Sequence, residues 1–423
     1  MNFAFVNYVH PETPHVSSMR MRLYADALTR RGHRVLLLTH PRERSNAVAT
    51  PAEVERLLMS HDWRTPFHFS SPPIFNWRDA AARSPELPRA LRRALIFCNM
   101  TLRGGLNDDW VQGARPYWPV IKRAFRPDLV WGIFGDLSSL RAAQLLARHL
   151  GVPWAADFKD HFEVFVHPAA RRIVASRYAD AAGFSSNSRF HASVAARFFH
   201  MPHAVIYSGV APAMIAASSA TVDAEVFRIV VVGSLYDGDR LRRFLAALGA
   251  WLQTLDPADL DHVELTYAGS DRCKIEPQLS AQPLPCRTRL LDQLPLDDLG
   301  RLCHSAALNA YIWSPRTFHH KLLELLACRR PVVSFPGELE ESVELAAEFD
   351  GDLRVCGSEA VLQETFSSIW SNWRSGEAAR SIAPLNVEGL TWDAMAGKLE
   401  AFLVEMSASE SGRQPVVPPA MTA

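Results

Sequence analysis

The order in which short apolar runs and helical patterns follow one another constrains the fold of this chain more than any other feature. An apolar run at Phe3–Val9 is followed by helical spacing over Ser17–Arg31, and a second run lies at Val35–Thr39. Gly32 stands between the helical pattern and the second run, where a glycine commonly ends a helix. Because strands and helices that alternate in this way build parallel sheets covered on both faces, the sequence predicts an α/β fold.

The same order returns twice further along the chain. The predicted strands there are Leu129–Phe134, Trp154–Phe158, Phe227–Val232, His262–Ala268, Leu308–Trp313 and Val332–Phe335, and the predicted helices are Leu140–Leu150, Arg242–Leu255 and one that begins near Lys321. A chain of 423 residues exceeds one typical core, so the two series predict two domains. We expect two Rossmann-like doubly wound domains that face each other across a cleft, with ligands beyond the carboxyl ends of the strands.

Composition shifts set the predicted domain boundaries. The predicted parts are a first domain at 1–210, a linker at 211–226, a second domain at 227–388, a closing helix at 389–406 and a disordered tail at 407–423. Residues 41–120 are rich in Pro, Trp and Arg, which predicts helices and irregular connections that decorate the first domain.

Composition also indicates the cellular compartment in which the chain is expected. The hydrophobic content of 48% provides apolar side chains for two cores, but no apolar run reaches the roughly 20 residues that span a bilayer. The start of the chain lacks the basic segment and long apolar stretch of a signal peptide. The six cysteines are scattered without a Cys-x-x-Cys pair, which argues against a zinc site or a disulfide framework. We therefore expect a cytoplasmic protein.

Charge is distributed unevenly along the chain. Residues 1–205 carry 27 Lys and Arg against 16 Asp and Glu, whereas the remainder carries 18 against 29. A basic first half predicts an anionic partner such as a phospholipid surface or a lipid phosphate. No recognised nucleic-acid motif accompanies these cations, so we expect no nucleic-acid partner. Arginines interleave with apolar residues in Pro88–Leu106, which predicts either a membrane-lying amphipathic helix or a core-facing helix with a charged outer side.

Lys321 and Glu324 form the most informative pair of polar residues. They lie three apart, so they share one face near the first turn of a predicted helix. A helix start favours an anion. A cation for phosphate and a carboxylate for sugar hydroxyls at that place indicate a nucleotide-sugar site. An exposed Lys–Glu pair on an ordinary helix is the alternative interpretation.

A glycine-containing loop follows the strand at Phe227–Val232, with the sequence GSLYDGDR from Gly233 to Arg240. Gly233 and Gly238 would let the backbone approach a ligand, the next helix start could receive a phosphate, and Arg240 would add a positive charge. An ordinary strand–helix turn is the alternative. The segment DGD resembles a metal-binding Asp-x-Asp, but such pairs are frequent in turns, and we predict no metal site.

Polar residues also follow two strands of the first domain. In the segment DFKDH at 157–161, Asp160 or His161 could bind an acceptor hydroxyl or help to deprotonate it. A helix cap with a surface histidine is the alternative, and Asp157 could pair with Lys159. His10 and His15 follow the first strand and could reach the same cleft.

Several segments together resemble the two-domain GT-B glycosyltransferases, in particular the retaining family 4 group, over nearly the full length of the chain. HPETPHVSSMRMRLYADALTRRGHRVLLLT resembles the opening strand, loop and helix of that family with its Gly-His-x-Val ending. PDLVWGIF and GVPWAADFKDHF resemble its mid-domain strands, and VIYSGV the segment before the crossover. GSLYDGDR resembles its phosphate loop and KLLELLACRRPVVSF its donor helix, and these two motifs are the most specific.

The resemblance implies an acceptor-binding first domain and a nucleotide-sugar-binding second domain. Glu324 matches the carboxylate that accepts from the ribose hydroxyls, and Lys321 and Arg240 would stabilise the leaving diphosphate. Backbone N–H groups of Phe318 to His320 would cap the phosphate or the sugar. The implied donor-side residues are Gly233, Ser234, Tyr236, Gly238, Arg240, Arg316, Phe318, His319, His320, Lys321, Leu322 and Glu324; the catalytic candidates are Asp160, His161, Arg240 and Lys321; and the acceptor-side candidates are His10, His15, Ser17 and Asp157.

Two positions depart from the pattern of the family. Arg316 replaces a second glutamate expected eight residues before Glu324, although a Lys-x-x-Glu variant occurs in related subgroups. A Gly-Gly pair near the donor phosphates is also replaced, by the segment HVSS at 15–18. There, Ser17 and Ser18 are predicted to cap the first helix.

The resemblance implies transfer of a sugar from a nucleotide-diphosphate donor to an acceptor hydroxyl, with retention and without a cofactor or metal. The acceptor would be lipid-linked, a saccharide or a small molecule, in cell-surface polysaccharide, glycolipid or natural-product glycosylation. A peripheral contact of the basic first domain with the inner face of a membrane stays an option. A GT-B nucleotide-sugar epimerase and a catalytically weak nucleotide-sugar-binding relative are the alternatives. A dinucleotide dehydrogenase is excluded because no Gly-x-Gly-x-x-Gly follows either leading strand.

Overall fold

A computed structural model of the chain describes residues 1–13, 15–42, 48–216, 222–376 and 387–408. The chain forms two compact units: the first comprises Met1–Ser208 and the residues from Met395 onward, and the second comprises Gly209–Ala394. The middle of the predicted linker, 217–221, and the predicted tail from 409 lie outside the described residues.

The first unit contains a parallel sheet of seven strands. These are β1 (Asn2–Asn7), β2 (Arg34–Thr39), β3 (Phe67–Ser70), β4 (Leu129–Ile133), β5 (Trp154–Phe158), β6 (Gly183–Ser186) and β7 (His203–Val205). Their spatial order is β3-β2-β1-β4-β5-β6-β7. The direction of winding reverses between β1 and β4, so the switch point of this unit lies at the carboxyl ends of those two strands.

The second unit repeats this topology with six parallel strands. These are β8 (Phe227–Val232), β9 (Val263–Ala268), β10 (Arg287–Leu291), β11 (Leu308–Ile312), β12 (Val332–Phe335) and β13 (Leu353–Val355), in the order β10-β9-β8-β11-β12-β13. The switch point therefore lies between β8 and β11. The predicted pair of doubly wound sheets is confirmed.

Helices connect the strands in both units. Those of the first unit are α1 (Val16–Arg30), α2 (Pro51–Ser60), α3 (Trp77–Arg83), α4 (Arg89–Cys98), α5 (Asp108–Ala114), α6 (Trp118–Val120), α7 (Leu137–Leu150), α8 (Phe162–Phe165), α9 (Arg171–Arg177) and α10 (Arg189–Ala196). Those that follow are α11 (Pro212–Ala216), α12 (Gly238–Leu252), α13 (Pro257–Leu260), α14 (Arg272–Ala281), α15 (Leu296–Ser305), α16 (Lys321–Ala327), α17 (Glu340–Glu348), α18 (Glu359–Arg374) and α19 (Trp392–Ala408). In the described parts of the chain, none of these helices combines the length and apolarity needed to cross a membrane.

A buried ion pair joins α1 to the sheet of the first unit. The guanidinium of Arg20 donates to both carboxylate oxygens of Asp157, at 2.9 and 2.8 Å, and to the Ile206 carbonyl at 2.9 Å. The Ser185 hydroxyl also donates to the Asp157 carboxylate, at 2.7 Å. Both members of the pair are fully buried. Removing one partner of such a pair leaves an uncompensated charge in the core.

The partner of Asp157 differs from the one that the sequence suggested. Lys159 does not pair with Asp157; its ammonium forms an ion pair with Asp160. The reason is that Arg20 reaches Asp157 from α1 and donates to both of its carboxylate oxygens, whereas Lys159 lies beyond the end of β5 next to Asp160.

The cap of α1 also differs from the prediction. His15 is the N-cap, and its Nδ1 accepts from the Ser17 backbone N–H at 3.2 Å. Ser17 and Ser18 lie inside the first turn, and the Ser18 hydroxyl donates back to the Thr13 carbonyl at 2.5 Å. The prediction that the two serines cap this helix is therefore wrong, because the helix begins one residue earlier than the sequence suggested.

Helix α4 exposes apolar residues rather than a fully charged outer side. None of its residues is fully buried. Ile96 and Phe97 pack against the core, whereas Ala90, Leu91 and Ala94 face solvent. Ile96, Phe97, Met100 and Leu106 supply the inward contacts of Pro88–Leu106, as the core-facing alternative expected, and the membrane-lying alternative stays a prediction.

We expect Arg20→Met to lower the free energy of unfolding of the first unit by about 3–5 kcal/mol, because Asp157 would stay buried without a counter-charge. The double variant Arg20→Met, Asp157→Leu removes both charges and should recover most of that loss. Chemical denaturation followed by circular dichroism measures both. A single variant as stable as the unchanged chain would contradict the role of this pair.

Candidate functional site

The switch point of the second unit contains the predicted lysine. Lys321 is the first residue of α16, and its ammonium donates to the carbonyl of Val232, the last residue of β8, at 3.0 Å. The same ammonium lies 5.6 Å from the centre of the Tyr311 ring on β11. Burial lowers the pKa of Lys321 to about 8, although the carboxylates of Asp271, Glu324 and Glu338 oppose this shift. One amine thus stands at the carboxyl ends of the two strands that flank the switch point.

Gly233 makes room for this amine. Its φ is +85°, and a Cβ added there would lie 2.6 Å from the Lys321 Nζ. The Tyr267 hydroxyl donates to the Gly233 carbonyl at 2.9 Å and fixes the turn. Any other residue at this position would be strained and would displace the ammonium from β8.

Glu324 lies one turn after Lys321 on α16, as the spacing predicted. Its side chain is buried, and in the described part of the structure no hydrogen bond or ion pair engages its carboxylate. Burial, with a smaller contribution from the Cys328 thiol, raises the pKa of Glu324 to about 7, while Lys321 lowers it. The Glu324 oxygens are not among the fully buried atoms that lack a partner, so they keep contact with solvent, and a ligand hydroxyl can donate to them.

A second carboxylate at this switch point was not predicted from the sequence. Glu338 follows β12 by three residues and accepts hydrogen bonds from Tyr311, from Ser334 at 3.0 Å and from the Leu339 N–H at 2.8 Å. Burial raises the pKa of Glu338. The position just past the carboxyl end of a buried strand is the signal that could have identified it.

Histidine and aromatic rings line the loop before α16. His319 is buried, accepts from the Ser314 N–H at 3.0 Å, and lies 5.4 Å from the ring of Tyr311 and 5.7 Å from that of Tyr236. Arg316 is exposed on the same loop. Among the other predicted donor-side residues, Ser234 is partly buried, His320 is the N-cap of α16, and the side chains of Phe318 and Leu322 belong to the core.

The Arg240 side chain and the N–H groups at the start of α12 already have partners within the protein. Asp237 is the N-cap of α12 and accepts from the N–H groups of Asp239 and Arg240, at 3.0 and 3.2 Å. Its other oxygen lies 3.2 Å from the Arg240 Nε, and Arg240 also donates to the Trp313 carbonyl at 2.9 Å. Because Asp237 accepts from two of its N–H groups, the start of α12 has fewer N–H donors for a phosphate than the sequence suggested. Arg240 nevertheless stays at the carboxyl end of β11.

The first unit brings three of its predicted polar residues together. The ammonium of Lys159 and the carboxylate of Asp160 act on the imidazole of His15 in opposite directions. Burial, followed by Lys159, lowers the pKa of His15. Its Nδ1 also contacts the Ser17 hydroxyl, at 2.7 Å. These groups lie at the carboxyl ends of β1 and β5, where the doubly wound fold places ligands.

The remaining candidates of the first unit are His10, Asp157 and His161, which directly follows Asp160. His161 faces His191, burial lowers its pKa, and its buried Nδ1 has no hydrogen-bond partner among the described residues. His10 contacts His68 beside a cavity of about 590 Å³ along the edge strand β3. The carboxylate of Asp157 is saturated by its core partners, so the acceptor-side role expected for it receives no support.

Similar solved structures have the same architecture. HepE from Anabaena, in complex with UDP-glucose, shares 15% identity at a TM-score of 0.59, covering 96% of this chain and 100% of that one. The sucrose-phosphate synthase of Thermosynechococcus elongatus shares 14% identity at a TM-score of 0.62, covering 96% of this chain and 98% of that one. The UDP-GlcNAc 2-epimerase of Neisseria meningitidis, bound to UDP-GlcNAc, shares 11% identity at a TM-score of 0.53, covering 96% of this chain and 100% of that one. No protein-family model and no curated protein matches the sequence. The chain therefore has the GT-B fold.

We expect Gly233→Ala to lower the free energy of unfolding of the second unit by about 1–2 kcal/mol, because alanine is strained at positive φ. Gly238→Ala is the matched control. The nearest atom to a Cβ there is the Gln278 Nε2 at 3.6 Å, and Gly238 begins a helix. That change should leave stability within about 0.5–1 kcal/mol of the unchanged chain or raise it. Equal effects of the two variants in denaturant unfolding would contradict this account of Gly233.

Proposed function

We propose that this chain is a glycosyltransferase that moves a sugar from a nucleotide-diphosphate donor to an acceptor hydroxyl, with retention at the anomeric carbon. The observation that carries the proposal is the pair on α16: a half-buried ammonium and, one turn later, a buried carboxylate without a protein donor. An ammonium matches a diphosphate, and a carboxylate matches two vicinal ribose hydroxyls. Two of the similar structures hold UDP-sugars, and this supports the same donor class here.

In this proposal the second unit binds the donor. Lys321 neutralises the negative charge that develops on the diphosphate as the glycosidic bond breaks. Glu324 accepts from the ribose hydroxyls, which gains the hydrogen bonds that its carboxylate lacks. The carboxylate of Glu338, held by Tyr311 and Ser334, raises the pKa of Lys321 and so helps that amine to hold its proton.

The first unit supplies the acceptor side. Asp160 is partly exposed and paired with Lys159, so its carboxylate can accept a hydrogen bond from an acceptor hydroxyl. The His15 Nδ1 accepts from the Ser17 N–H, so the neutral imidazole carries its proton on Nε2, and that N–H can donate to an oxygen of the acceptor. His161 is the third candidate to deprotonate the acceptor.

Arg316 bears on the identity of the sugar. The retaining family 4 pattern has a glutamate at this position, whereas this chain presents an exposed guanidinium. A guanidinium favours a carboxylate or phosphate on the ligand over neutral hydroxyls. A donor sugar that carries an acidic group is therefore consistent with the proposal.

A nucleotide-sugar epimerase is the second candidate, and the likeness to the Neisseria enzyme is what favours it. Transfer releases a free nucleoside diphosphate and creates a glycosylated acceptor, whereas epimerisation creates an epimeric sugar. Purified chain incubated with a panel of UDP- and GDP-sugars, with and without a hydroxyl acceptor, distinguishes the two by mass spectrometry. Binding without any product would favour the catalytically weak relative.

We expect Glu324→Ala to weaken UDP binding about tenfold to a hundredfold, because a hydrogen bond to a charged group contributes about 1.5–3 kcal/mol. Isothermal titration calorimetry measures the affinity. Glu348→Ala is the control, since Glu348 is exposed at the end of α17 in the same unit. An unchanged affinity in Glu324→Ala would remove the ribose role.

We also expect a bell-shaped pH dependence of UDP affinity. Below pH 7 Glu324 gains a proton, since its pKa is raised to about 7, and it then loses its acceptor charge. Above pH 8 Lys321 loses its proton, since its pKa is lowered to about 8, and the attraction for phosphate falls. Lys321→Met should abolish the alkaline limb, whereas Lys398→Met, an exposed change on α19, should not. A flat profile in the unchanged chain would contradict both assignments.

A further inference from the structure

One surface of the first unit exposes large apolar side chains beside arginines. Phe75 is 84% exposed and Trp77 61%, and Ile74, Leu91 and Leu102 are also exposed. These residues lie on α3, on α4 and on the chain next to these helices. Single exposed apolar residues are common, but a cluster of this kind marks a surface that contacts another molecule.

Helix α4 presents its apolar residues outward. Ile96 and Phe97 fix it to the core, which leaves Ala90, Leu91 and Ala94 on the solvent side. Residues 90 and 94 lie four apart and 91 and 94 three apart, so they share one face. Arg89 and Arg93 flank this face and are exposed.

The arginines of this surface have no acidic partners. Among the described residues, Arg78, Arg89 and Arg93 form no ion pair with a carboxylate, and Arg78 instead stacks on Trp77 at 5.2 Å. Neighbouring arginines differ, since Arg103 pairs with Asp108 at 2.8 Å and Arg83 pairs with Asp109. Three cations without an acidic partner thus lie beside the exposed apolar side chains.

The position of this surface relates it to the acceptor side of the same unit. The segment leaves the carboxyl end of β3, and Arg177 donates to the Leu102 carbonyl at 3.1 Å. Phe97 contacts His167, which follows α8 beyond the carboxyl end of β5. The surface therefore adjoins the edge of the sheet at which His15 and Asp160 lie.

We propose that the α3–α4 surface, formed by Ile74, Phe75, Trp77, Arg78, Arg89, Leu91, Arg93 and Leu102, docks on an anionic lipid bilayer. Unpaired arginines match anionic headgroups, and each contributes to adsorption. A helix with an outward apolar face lies in the headgroup region, and a tryptophan beside it is suited to that interface. A bilayer explains the cations and the exposed rings together. The proposal goes beyond glycosyl transfer and does not rest on it.

Co-sedimentation of the full chain with vesicles tests this surface. Vesicles of phosphatidylcholine and phosphatidylglycerol in a ratio of about 2:1 should bind the chain, and vesicles of phosphatidylcholine alone should bind it much more weakly. The triple variant R78Q/R89Q/R93Q should lose about a hundredfold in partition, roughly fivefold for each arginine. Phe75→Gln with Trp77→Gln should lose about tenfold.

A matched control tests whether the position of the arginines, rather than the total positive charge of the chain, determines vesicle binding. R22Q/R56Q/K122Q removes three exposed cations elsewhere in the first unit, and it should retain most of the binding. Circular dichroism confirms that each variant is folded. Absence of binding to anionic vesicles, equal binding to neutral ones, or equal losses in both triple variants would overturn the proposal. So would self-association that the R78Q/R89Q/R93Q variant abolishes without any vesicle binding, because a second copy of the chain would then be the occupant.

Discussion

The position of the Lys321 ammonium determines the geometry of the candidate donor site. Lys321 reaches the Val232 carbonyl only because Gly233 turns the chain at positive φ and carries no side chain. At this position the amine lies beside the ring of Tyr311 and within the electrostatic reach of three carboxylates, Asp271, Glu324 and Glu338. One largely buried cation near three carboxylates is poised to exchange protein partners for a charged ligand.

Much of the fold could be predicted because the central strands of a parallel sheet are apolar on both faces. β5, β8 and β12 begin and end at the predicted residues for that reason. The strands that escaped prediction lack such a run. β6 is GFSS, and β10 at the edge of its sheet is RTRLL with its first residues exposed. Pairing with a neighbouring strand, rather than composition, makes these segments strands.

The candidate site was predictable where local spacing sets the geometry. Lys321 and Glu324 share a helix turn whatever surrounds them, and Gly233 follows its strand directly. One expectation that failed depended on a distant partner, and another failed for a local reason. Asp157 pairs with Arg20, which is 137 residues away in the sequence, and Asp237 caps its own helix and so engages Arg240. Glu338 could have been identified from its place just past β12, but its contact with Tyr311 on another strand could not.

A crystal structure of the chain soaked with UDP tests the central claim most directly. The account predicts the diphosphate beside the Lys321 ammonium at the carboxyl ends of β8 and β11, with the ribose hydroxyls donating to the Glu324 carboxylate. UDP bound elsewhere on the chain, with Lys321 still on the Val232 carbonyl and Glu324 still without a ligand partner, would contradict it.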